Sequence, residues 1–97
     1  MGKRSRVREI IAEPTVYFMA GDGGPVKIGC ALNPSERLAS VQTGNPLPLA
    51  ILATAPGGYA AEKAYHRRWS AHRLHGEWFA RAPEITAEIA RLAGEPQ

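Results

Sequence analysis

Three things are scarce in this chain of 97 residues, and each closes off a class of protein. No apolar run is long enough to cross a bilayer, so neither a membrane-spanning helix nor a membrane partner is expected. The basic start, Met1-Gly2-Lys3-Arg4-Ser5-Arg6, lacks an apolar stretch with a cleavage site, so no signal peptide is expected. Cys30 is the only cysteine. It cannot form an internal disulfide, and a reduced, cytoplasmic setting is the default expectation. Internal repeats and low-complexity segments are also missing, which leaves one small domain. Its core must be thin, burying roughly 60–65% of the surface of the unfolded chain.

What is present is a mild excess of positive charge, +3 in all. Lys3, Arg4, Arg6 and Arg8 crowd the N-terminus, and Arg67, Arg68 and Arg73 form a second cluster. Nucleic acid is a natural partner for such patches, because phosphate contacts release counterions. A solubilising tail and an ordinary solvated helix face explain the same charges.

Residues 1–14 read as a basic arm, and residues 15–94 as the folded domain. In 15–20 the apolar Val16 and Phe18 alternate with Tyr17 and Met19, which predicts a strand. A turn cluster, Gly21-Asp22-Gly23-Gly24, leads to a second strand over 25–30. Asn33-Pro34-Ser35-Glu36 is a helix start: a capping residue, a proline at the first helical position and an acid where a capping box places it. That helix runs to about 42, burying Leu38 and Val41. A third strand is expected over 49–55, ended by Pro56-Gly57-Gly58. A helix over 59–73 follows, with Ala61, Tyr65 and Trp69 as its apolar row. Pro83 opens a last helix, with Ile85, Ile89 and Leu92 on one face and Gly94 as its end. The order β-β-α-β-α-α predicts an α+β fold, a small three-stranded antiparallel sheet flanked by helices.

The first two strands must turn their apolar residues to one side. Pairing Val16 and Phe18 with Ile28 and Val26 does this and leaves a three-residue loop, Gly21-Asp22-Gly23. It sets Tyr17 opposite Lys27 on the other face, about 5 Å apart at Cβ. A neighbouring cation favours a phenolate and lowers the phenol pKa. Such a phenolate could take a proton from water. A surface tyrosine beside a solvated lysine is the plainer alternative.

Val16-Tyr17-Phe18 followed by Lys27-Ile28-Gly29 resembles the two halves of the GIY-YIG nuclease signature. More particularly, it is similar to the small subgroup whose second half reads KIG, which includes proteins of the T5orf172 and Mug113 types. The run from Glu62 to His66, and then Gly76-Glu77-Trp78-Phe79, is similar to that subgroup's E-x-x-x-H and GEWF segments. The resemblance covers about residues 15–80. It implies a GIY-YIG-like fold and a metal-dependent endonuclease acting on DNA, with RNA not excluded. Tyr17 matches the general base, and Lys27 stands where a second tyrosine is usual, so either could move the proton. Arg37 matches the phosphate clamp. Glu62 matches the one metal-binding carboxylate, which serves Mg²⁺ or Mn²⁺.

His66 falls one turn after Glu62, where it could orient the carboxylate, meet the phosphate, protonate a leaving group or simply pair on the surface. Glu77 is either a second acid of the site or a structural residue. A zinc site from His66, His72 and His75 lacks a fourth ligand. A catalytically weak or inactive nucleic-acid-binding module of the same fold is the alternative to the nuclease. The sequence does not fix the oligomeric state.

Overall fold

A computed structural model describes residues 13–94 of the chain. The basic arm expected over 1–14 lies outside the described residues, apart from Glu13 and Pro14. The elements run β1 (Thr15–Ala20), β2 (Val26–Ala31), α1 (Pro34–Thr43), β3 (Ala50–Ala55), α2 (Gly58–Arg68), a 3-10 turn (Ser70–His72), β4 (Arg73–His75), β5 (Trp78–Phe79) and α3 (Pro83–Leu92). The fold is α+β with an antiparallel sheet and three helices, as the hydrophobic periodicity predicts.

The sheet has five strands rather than three, in the order β3-β1-β2-β5-β4. The two extra strands are three and two residues long, too short for alternation to be read from sequence. They follow the helix expected over 59–73, and the end of that helix is replaced by Trp69 and the 3-10 turn. That helix stops at Arg68, because Trp69 leaves the helical region at φ −116°, ψ 30° and turns its ring into the core.

Strand β1 is internal, between β3 and β2, and Val16 through Ala20 are all buried. Its alternating side chains feed two different cores. On one face Val16, Phe18, Val26, Ile28 and Phe79 pack under α2 and α3, through Ala61, Tyr65, Trp69 and Ile85. Phe18 and Tyr65 meet edge to face with centroids 5.2 Å apart, and Tyr65 stacks on Trp69 at 5.2 Å. On the other face Tyr17, Met19 and Ala31 pack under α1, against Leu38 and Val41. A bulge between Phe18 and Met19 lets β3 supply Ala53 to the first core and Ile51 to the second.

The β1–β2 register differs from the expected one by two residues. Phe18 pairs with Ile28, Met19 with Lys27 and Tyr17 with Gly29. A two-residue shift keeps every side chain on its expected face, so the apolar pattern alone does not choose between the registers. Two contacts favour the observed one. The Tyr17 ring lies across Gly29, where a Cβ would collide with it. The loop over 21–25 is also wide enough for Arg81 to donate to the carbonyls of Gly24 at 2.9 Å and Gly21 at 3.0 Å.

Candidate functional site

The β2–β5 ladder covers only Val26 and Lys27, which pair with Phe79 and Trp78. Past Lys27 no strand residue pairs with this edge of β2, and its next backbone groups are met by other partners. The Ile28 N–H donates to the Glu77 carbonyl at 2.9 Å, and the His66 ring bonds the Ile28 carbonyl at 2.8 Å. A carbonyl only accepts, so His66 Nε2 carries the proton there. Around this edge, side chains from the two faces of the sheet meet.

From the α1 face come Tyr17, Lys27 and Arg37. Tyr17 and Lys27 share that face as diagonal neighbours, not as the directly opposed pair expected from sequence. The Tyr17 hydroxyl is fully buried and finds no hydrogen-bond partner among the described residues. Burial pushes its pKa up, while Lys27 and the Arg37 guanidinium, reaching in from α1, pull it down. Burial wins, so the phenol sits above its ordinary pKa, opposite to the direction expected from Lys27 alone. Lys27 is itself engaged. Its ammonium donates to Glu77 Oε1 at 2.9 Å and lies 5.7 Å from the centre of the Trp78 ring.

From the α2 face comes Glu62, only 8% exposed. It neighbours the Glu77 carboxyl, and each influences the titration of the other. Burial first, and then the Glu77 charge, lift Glu62 above the usual carboxylate range. Burial also pushes Glu77 up, but the bond and charge of Lys27 outweigh it and hold Glu77 below that range. The two carboxyls are thus shifted in opposite directions, Glu62 up and Glu77 down. His66 Nε2 lies 3.9 Å from Glu62 Oε2, one turn along α2. Because its proton is directed at the Ile28 carbonyl, His66 joins α2 to the β2 edge.

Tyr17, Lys27, Arg37, Glu62 and His66 therefore converge on one edge. Glu77 joins them through both Lys27 and Glu62. Sequence left Glu77 open, because only its place before β5, paired to β2, carries it to the site. Gly29 makes the convergence possible, since a Cβ there would stand 2.8 Å from Glu77 Oε1 as well as in the Tyr17 ring. The remaining histidines do not assemble a metal centre. His72 bonds Glu84 at 3.0 Å, and no group of three or more His, Cys, Asp or Glu placed to hold a metal ion occurs among the described residues. No helix among these residues is long and apolar enough to cross a membrane.

No curated protein and no solved structure matches the chain significantly. The T5orf172 domain model matches residues 14–93, a span that includes every residue of the site, and no GIY-YIG match accompanies it. The chain belongs to the T5orf172 domain family, which is related to GIY-YIG-like nucleases and associated with nuclease-like and DNA-binding function.

Proposed function

We propose that the protein is a metal-dependent endonuclease that hydrolyses phosphodiester bonds in DNA. The observation that carries this reading is the meeting of two cations, a buried phenol and two carboxylates at the edge of β2. Arg37 clamps the phosphate through its planar fork of donors. Tyr17 and Lys27 serve together as the general base: the Lys27 ammonium favours the Tyr17 phenolate, which takes the proton of the water that attacks phosphorus, and the P–O bond to the leaving oxygen then breaks. Burial opposes the phenolate, so Tyr17 depends on both Lys27 and Arg37 to serve this role.

The donor set fits a hard divalent cation. Glu62 and Glu77 offer oxygen ligands, and their mutual repulsion is relieved by positive charge between them. Glu62 would hold Mg²⁺ or Mn²⁺, with Glu77 beside it. Bound there, such an ion supplies charge stabilisation to the phosphate and the leaving oxygen.

One observation favours a second reading, nucleic-acid binding without turnover: the raised pKa keeps the Tyr17 phenol protonated. A cleavage assay separates the two. Purified protein is incubated with single-stranded, duplex and branched DNA, with Mg²⁺ or Mn²⁺ and with EDTA, beside its Glu62→Gln variant. Metal-dependent cuts that fall on the order of 10²-fold in the variant are expected. Binding with no cleavage in either metal would establish the non-catalytic module.

A further inference from the structure

A groove of about 420 Å³ opens beside the site, between the end of β2, the first turns of α1 and the first turn of α2. Leu32, Glu36, Arg37, Ser40 and Tyr59 line it. We propose that this groove takes one unpaired nucleobase, so that the substrate carries an unstacked nucleotide next to the scissile phosphate. The placement of that phosphate rests on the phosphodiesterase reading above.

Three observations carry the inference. Tyr59 and Leu32 are 58% and 67% exposed, two large apolar side chains facing solvent at a single groove. The other aromatic rings near α2 are engaged: Phe18, Tyr65 and Trp69 with one another, and Phe79 with His66. Tyr59 has no aromatic partner among the described residues. A flat exposed ring of this kind is what a base stacks on, and the stacking tolerates any base.

The second observation is Glu36. A carboxylate in the groove repels a phosphate, so the groove suits the neutral part of a nucleotide. It also accepts hydrogen bonds from the N–H groups that an unpaired base leaves free on its pairing edge. The third is Arg37, which belongs both to the groove and to the surroundings of Tyr17. A phosphate held by Arg37 therefore directs its own nucleoside toward Tyr59. The volume is enough for one nucleoside, and a paired base offers neither its face nor its pairing edge.

The test measures binding by fluorescence anisotropy, in EDTA, with the full chain and a single strand just long enough to fill the site. An abasic nucleotide is moved along the strand one position at a time. One position is expected to weaken binding about ten-fold, and Tyr59→Ala is expected to weaken binding of the intact strand by a similar factor. The two losses should not add when combined, because each removes the same stack. Tyr59→Phe should bind like the parent, and an unchanged melting temperature shows that Tyr59→Ala is folded. Parent-like binding by Tyr59→Ala, or fully additive losses, overturns the proposal. Cleavage is scored separately with Mg²⁺. Tyr59-dependent binding without any cleavage sinks the phosphodiesterase reading and leaves the groove in place. Cleavage of paired and unpaired strands alike, indifferent to Tyr59→Ala, sinks the groove alone.

Discussion

Lys27 and Glu77, 50 residues apart in sequence, meet at 2.9 Å, and their ion pair ties the β4–β5 hairpin to the face that carries Tyr17. The same carboxylate raises the pKa of both Tyr17 and Glu62. Glu77→Gln therefore has a directional signature. Removing the charge lowers both pKa values, and both groups work deprotonated, so the rising limb of the pH–rate profile should move to lower pH while the maximum rate falls. A profile that drops in height without moving would show that Glu77 does not act on Tyr17 by charge.

Tyr17 illustrates a conflict between stability and activity. Its hydroxyl is buried without a partner among the described residues, an arrangement that costs about 1–3 kcal/mol in a folded protein. Tyr17→Phe keeps the ring over Gly29 and removes the orphaned oxygen. The variant should melt several degrees higher, at roughly 4–8 °C per kcal/mol for a domain of this size, and lose cleavage. A lower melting temperature would mean that water or an ion satisfies the hydroxyl in solution.

The faces of the hairpin were legible in the sequence because a period of two is robust: Val16, Phe18 and Ile28 alternate with Tyr17, Lys27 and Gly29. The register was not, because a shift of two residues preserves every face, and the choice is made by Arg81 and Gly29 from outside the pattern. The helix start at Asn33-Pro34 was legible because its signal is local, and Asn33 Oδ1 does accept from the Glu36 N–H at 3.2 Å. Glu77 was not placed, since its contacts with Lys27 and Glu62 depend on pairing between β5 and β2. The sign of the Tyr17 shift was missed for a similar reason. The neighbouring cation can be read from spacing, whereas the depth of burial comes from α1 closing over the sheet.

Gly29 and Gly24 should respond oppositely to the same substitution. A Cβ at Gly29 meets the Tyr17 ring and Glu77, so Gly29→Ala should cost about 1–3 kcal/mol and displace both side chains from the site. Nothing lies within 4 Å of a Cβ at Gly24, and Gly24→Ala should leave stability within about 0.5 kcal/mol of the parent or raise it slightly. Urea melts of the two variants check the contrast. Equal destabilisation would show that the hairpin loop, not the packing of Tyr17, limits stability here.

Far from the site, Glu88 couples α3 to α2 and gives the fold a defined acid limit. Its buried carboxylate accepts from Tyr65 Oη at 2.7 Å and from Arg91 at 2.9 and 2.5 Å. The Arg91 bonds, with help from Tyr65, hold the Glu88 carboxyl down at about 2. A depressed carboxyl pKa stabilises the folded state above the unfolded value, near 4.5, and that contribution disappears as pH falls toward 2. Tyr65 has the opposite sign: burial and the Glu88 bond push its phenol up to about 12, so its share is full below 10 and lost between 10 and 12. Because Arg91 is exposed to solvent, the Glu88 term is about 1–2 kcal/mol at neutral pH after screening. Glu88→Gln should lower the melting temperature at pH 7 and converge with the parent near pH 2. It should also bring the Tyr65 phenol down, so the alkaline loss of stability begins at lower pH. Parallel melting curves for parent and variant from pH 2 to 7 would show that Glu88 contributes through shape rather than charge.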